Sequence, residues 1–98
     1  MLESLTIDDF SGRLGERFVL ELGEGSEVET QLIEAKPLEA GPESDARTPF
    51  SIVFLGPHEP LLAQRIYPLR HDQLGTFGIF IVPIGRDADG VRYEAIFT

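Results

Sequence analysis

The chain has 98 residues, of which 17 are acidic and 8 basic, for a formal net charge of −9 at pH 7. That length makes a single domain, 1–98, with a modest core, and the charge excludes the basic surface that displaces phosphate counterions, so no nucleic-acid partner is expected. Without cysteine, disulfides, Cys-ligated zinc, iron–sulfur clusters and thiol nucleophiles are excluded as well.

Met1 to Phe10 holds neither a basic n-region nor an apolar h-region, so no secretory signal is expected there. Apolar runs stay at five residues or fewer, short of the roughly 20 needed to span a bilayer. A cytoplasmic protein with no membrane partner is the resulting expectation. A helix of at most about two turns is predicted near the start. Thr6 caps it, Asp8 and Asp9 complement its dipole, and Gly12 and Gly15 stop it. Leu5, Phe10 and Leu14 would pack it over an open end of a sheet.

The remaining chain reads as six strands, near Arg17–Leu22, Val28–Ala35, Pro49–Leu55, Leu62–Pro68, Thr76–Pro83 and Val91–Phe97. These runs are rich in Val, Ile, Phe and Tyr, and glycine and proline separate them. Connections are mostly short and no long helical pattern intervenes. The predicted fold is therefore all-β: an antiparallel meander of about six strands, as a twisted sheet or small barrel, with one short N-terminal helix.

Alternation assigns faces. Phe18, Leu20 and Leu22 share one side of the first strand against Arg17 and Glu21, and Val28, Thr30 and Leu32 share one side of the second. Ile33 breaks that phase and predicts a bulge or an edge. The third and fifth strands, Phe50–Leu55 and Phe77–Val82, are apolar on both faces. Such strands lie inside a barrel or sandwich, under the helix, or at a subunit interface. If the helix leaves them uncovered, the outward side chains Val53, Leu55, Phe80 and Val82 form a patch that drives homodimerisation.

Gly23-Glu24-Gly25-Ser26 and Asp87-Ala88-Asp89-Gly90 read as hairpin turns. Lys36 to Thr48, with Pro37, Gly41 and Pro42, is the longest loop and is expected to be mobile. Charge is uneven along the chain. Residues 1–49 hold 12 acids and 4 bases, whereas residues 50–98 hold 5 and 4, so the N-terminal half should present a solvating acidic face.

Catalytic and metal-binding patterns do not assemble. Asp87-Ala88-Asp89-Gly90 resembles the opening of a calcium loop but has no closing glutamate. His58 and His71 are two histidines where catalytic zinc usually takes three protein ligands, so Glu59 or Asp72 would have to join them. No serine sits in a Gly-x-Ser-x-Gly context, and no glycine-rich phosphate loop occurs. No catalytic residue, metal or cofactor is expected.

The most distinctive stretch is Gln64 to Gly75. On a strand, Tyr67, Leu69 and His71 point to one side, and Ile66 and Arg70 to the other. Pro68 donates no ladder hydrogen bond and marks an edge or a bend. Tyr67 and His71 each join an apolar body to a polar tip, which pins a corner of the core or lines a pocket mouth. His71, just before a bend at Gly75, suits an imidazole that bonds the loop backbone.

Phe50-Ser51-Ile52-Val53-Phe54, Gln64-x-x-Tyr67-x-Leu69-x-His71-x-x-Leu74-Gly75, Phe80-Ile81-Val82-Pro83 and Tyr93-Glu94-Ala95-Ile96-Phe97 resemble a family of small bacterial proteins of unknown function. The likeness runs over nearly the whole chain. Members of that family accompany tail-collar or microcystin-dependent-like proteins, which resemble phage tail fibres. The resemblance implies an accessory part of an assembly, and it carries no catalytic or binding residue over to this chain. Two functions compete: a non-enzymatic structural or interaction module with a protein partner, and a small-molecule-binding barrel with Tyr67, Arg70 and His71 at its mouth.

Overall fold

A computed structural model describes residues 5–39 and 48–97; the centre of the predicted loop, 40–47, lies outside the described residues. The elements in chain order are α1 (Asp8–Ser11), β1 (Arg17–Gly23), β2 (Ser26–Pro37), β3 (Phe50–Gly56), β4 (Arg65–His71), β5 (Gly75–Asp87) and β6 (Gly90–Phe97). All strand pairings are antiparallel, and the sheet closes into a barrel in the order β1-β2-β3-β6-β5-β4.

The expected meander is realised as two three-stranded meanders, β1-β2-β3 and β4-β5-β6. The Pro57–Gln64 connection carries the chain from one to the other, so β3 pairs with β6 and not with β4. Closure removes the open edges that a small sheet would otherwise expose. It also explains why β2 and β5 run to 12 and 13 residues: each bends around the barrel and pairs with one neighbour along its first half and with the other along its second. Both bends coincide with register shifts. One falls at Ile33, where the sequence phase breaks, and the other at Ile84.

Inward side chains fill the barrel. Phe18 and Leu20 of β1, Val28 and Leu32 of β2, and Phe50, Ile52 and Phe54 of β3 meet Tyr67 and Leu69 of β4, Phe77, Ile79 and Ile81 of β5, and Val91, Tyr93, Ala95 and Phe97 of β6. Burying a side chain of this size is worth about 1.5–3 kcal/mol, and this single cluster is where the fold draws its stability.

Each end has its own plug. At one end α1 inserts Phe10, which is fully buried and lies 5.5–6.1 Å from the rings of Phe97, Phe50 and Phe18. The helix has four residues, within the two turns expected, and Thr6 does not cap it with its side chain. Asp9 instead reaches back, its Oδ2 accepting from the Thr6 backbone N–H at 2.8 Å. Leu14 does not join Leu5 and Phe10 in the packing: it is 53% exposed, because the turn through Gly12 to Gly15 carries it past the barrel rim. At the other end Leu62 is buried, and its backbone N–H donates to the Tyr93 hydroxyl at 3.0 Å.

Candidate docking face

The wall is uneven on its outside. Around β1 and β2 the outward positions are mostly charged: Arg17 pairs with Glu29 at 3.1 Å, and Arg70 of β4 bridges to Glu21 and Glu27, each at 2.8 Å. The hydrogen bonds to Glu27 and Glu21 raise the pKa of the Arg70 guanidinium further above its ordinary value. Arg70 thereby clamps the seam where β1 meets β4 through only two register pairs, Val19–Arg70 and Leu20–Leu69. Pro68 follows that short ladder and donates no backbone hydrogen bond to extend it.

On the outside of β4 and β5 lies an apolar stretch. Ile66 on β4 stands directly across from Phe80 on β5, and they are 66% and 49% exposed. Ile96 on β6 is 57% exposed as well, but it lies past Val82–Glu94, the last pair that joins β5 to β6. The next outward positions along β4 and β5 are Pro68 and Gly78, again directly opposed. None of these five residues carries a charge. Large exposed apolar side chains in a row mark interaction surfaces in soluble domains.

The patch expected at Val53, Leu55, Phe80 and Val82 is thus corrected. Only Phe80 is exposed; Leu55 and Val82 are half-buried, and Val53 is 4% exposed. The reason is topological, since β6 lies between β3 and β5. Val53 sits between Glu34 and Glu94 on the neighbouring strands, where long stems cover apolar surface while their heads stay in water. The exposed pair is instead Ile66 and Phe80. Alternation had set Ile66 opposite Tyr67 and Leu69, but only the register against Phe80 joins it to a patch.

The residues proposed for a pocket mouth do not meet. Tyr67 points inward, and its hydroxyl donates to the Ala63 carbonyl at 2.8 Å, while the Arg65 guanidinium lies 4.7 Å from its ring centroid. His71 also points inward, but at the α1 end. Its Nδ1 accepts from the backbone N–H groups of Gln73 and Leu74 at 3.0 and 3.2 Å, and its Nε2 bonds Glu16 Oε1 at 2.7 Å. Arg70 lies on the outer wall. The described depressions are shallow and lie on the surface along β2 and its hairpin, and one of them runs past Arg70.

Other groups with chemical potential also have structural duties. His58 Nε2 donates to the Asp87 carbonyl at 2.8 Å. Asp87 accepts from the Asp89 N–H at 2.9 Å and pairs with Arg92. Those contacts, the Asp89 backbone bond foremost, hold its carboxyl below the usual aspartate value. Among the described residues no group of three or more His, Asp or Glu could hold a metal ion. None of their helices is long and apolar enough to cross a membrane.

A domain profile described only as a domain of unknown function, DUF6916, matches residues 5–97. The chain belongs to that family. The match takes in every strand of the DUF6916 barrel and the α1 plug, so the whole closed wall is the family's unit. No curated protein and no solved structure matches this chain.

Proposed function

We propose that this DUF6916 domain is a non-enzymatic docking module, which holds a protein partner against the outer face of β4 and β5. The observation that carries the reading is the directly opposed pair Ile66 and Phe80, both exposed on the wall of a domain with a net charge of −9. Commitment of His58, Tyr67, His71 and Asp87 to loops and turns supports a role outside catalysis. The resemblance to proteins that accompany tail-fibre-like assemblies suggests the setting, an accessory position in such an assembly.

The test is co-purification of the intact chain from its native host, with the partner identified by mass and rebound as a pure protein. Phe80→Asp should abolish rebinding while the thermal melt stays unchanged. Equal rebinding by Phe80→Asp and by the parent would overturn this face as the docking site.

A further inference from the structure

The turn between β4 and β5 hangs on one lone pair. The His71 ring is buried, and its Nδ1 accepts from the backbone N–H groups of Gln73 and Leu74 at 3.0 and 3.2 Å. A proton on Nδ1 takes up that lone pair and makes the nitrogen a donor aimed at two donors. The closed turn and the doubly protonated ring therefore exclude each other. On the opposite side, Nε2 lies 2.7 Å from the Glu16 carboxylate, an anion that favours the imidazolium.

Few charges surround the ring. Glu16 approaches it from the segment before β1, and Arg13 stands behind Glu16 on the turn after α1. Asp72 belongs to the β4–β5 turn itself and is exposed. From β1 the ring meets Phe18, with centroids 4.4 Å apart, and across the β4–β5 ladder His71 is paired with Gly75. Neither of those carries charge.

Arg13 supplies a second arrangement. Its Nη2 group donates to the Gln73 side-chain oxygen at 3.2 Å, and its Nη1 group donates to the Asp9 carbonyl at 3.0 Å. Its Nε–H is buried without a partner and lies 4.0 Å from Glu16 Oε1. An orphaned donor of this kind costs free energy for as long as the turn stays closed. Once Gln73 lets go, a shift of about 1 Å brings Nε–H into hydrogen-bond range of Glu16.

We infer that His71 is a proton-operated latch at the α1 end of the barrel: protonation of Nδ1 releases Gln73 and Leu74, and Arg13 moves from Gln73 to Glu16 while the strand pairs of the wall stay intact. The opened turn uncovers Leu74, which packs half-buried against the core. Only the opened arrangement binds the extra proton, so pH selects between the two. The latch lies at the barrel end and the docking face on the wall, so either reading can fail without the other.

Amide hydrogen exchange and imidazole ¹⁵N spectra of the intact chain, recorded from about pH 8 to about pH 5, test this. Protection at Gln73 and Leu74, corrected for the intrinsic pH dependence of exchange, should fall at least about tenfold, the change that two ordinary hydrogen bonds account for. That fall should share its midpoint with protonation of His71 Nδ1 and with a shift of the Arg13 Nε–H signal. Amides of the β3–β6 pairs should keep their protection. In His71→Gln the side chain takes up no proton, so protection at the turn should be lower but independent of pH. Glu16→Gln removes the anion that favours the imidazolium and should move the midpoint to lower pH. Should His71→Gln fail to fold, the parent's shared midpoint and the Glu16→Gln shift decide the matter. The latch is overturned by a ring that protonates while Gln73 and Leu74 stay protected, or by one that stays neutral across the range. The same pH-dependent loss in His71→Gln, or an equal loss along the β3–β6 wall, overturns it too.

Discussion

His71 Nε2 lies 2.7 Å from Glu16 Oε1, joining the end of β4 to the residue that precedes β1. The other ring nitrogen decides the direction of that bond. Nδ1 accepts from two backbone N–H groups, Gln73 and Leu74, so it bears no proton, and Nε2–H is the donor to the carboxylate. The ring also lies against Phe18, with centroids 4.4 Å apart. One buried side chain therefore fixes the β4–β5 turn, the approach to β1 and part of the core.

Replacing His71 with alanine strands two turn N–H groups and the Glu16 carboxylate, so His71→Ala should cost about 1–3 kcal/mol. His71→Gln should recover part of that, because an amide both donates and accepts. Urea or thermal melts measure the order parent, Gln, Ala. A long-range ¹H–¹⁵N spectrum of the parent at neutral pH should show Nε2 protonated and Nδ1 bare. The opposite tautomer would contradict the bonding scheme.

Phe10 within α1 and Leu14 just past its end are both apolar and four residues apart, yet their removal should differ sharply. Phe10→Ala empties a site among Phe18, Phe50 and Phe97 at the barrel end, and should destabilise by about 3–5 kcal/mol. Leu14→Ala trims a side chain that is 53% exposed, and should stay within about 0.5 kcal/mol of the parent. Equal losses in chemical denaturation would mean that the plug does not work through Phe10.

The strands were legible because their information is local. Phe18, Leu20, Val28 and Leu32 alternate cleanly with charged neighbours, and Ile33 shows its bulge as a fault in that rhythm. The role of His71 in the turn followed from a polar tip on an inward position just before a glycine bend. Leu14 was misplaced because it lies past the end of α1 at Ser11, on the Gly12–Gly15 turn that carries it over the barrel rim. The outer face was misplaced for a non-local reason. Val53 and Phe80 look equally apolar in sequence, and only the β3–β6 pairing buries one and leaves the other exposed. Strand order of this kind is set by the Pro57–Gln64 crossover, whose residues carry no alternation to read.

Gly90 and Gly25 both adopt positive φ, at 142° and 82°, but their surroundings separate them. A Cβ at Gly90 would stand 2.1 Å from the Gly56 carbonyl oxygen, a backbone atom that cannot turn away, whereas one at Gly25 meets open space. Gly90→Ala should therefore destabilise by about 3 kcal/mol or more, through strain and displacement of β3 together. Gly25→Ala should cost only the left-handed backbone penalty, about 1–2 kcal/mol. Paired denaturation curves measure the gap, and similar losses would show that the close approach of β6 to Gly56 is dispensable.

Asp87 closes the β5–β6 hairpin, and its contacts make that turn acid-sensitive. Its carboxyl accepts from the Asp89 N–H and pairs with Arg92, and its pKa lies below the ordinary 3.8. A depressed carboxyl pKa in the folded chain means that the unfolded chain takes up the proton first as pH falls. The group's contribution is therefore complete above about pH 4, near its unfolded value, and disappears as pH drops through the lower folded value. Asp87→Asn keeps an oxygen for the Asp89 N–H but gives up the charge that attracts Arg92. It should melt at a lower temperature than the parent at pH 7, and the two melts should converge toward pH 2. The group is solvent-accessible, so added salt should narrow the difference at pH 7 as well. A difference that persists undiminished at pH 2 would assign the loss to packing at the turn and not to the Asp87 charge.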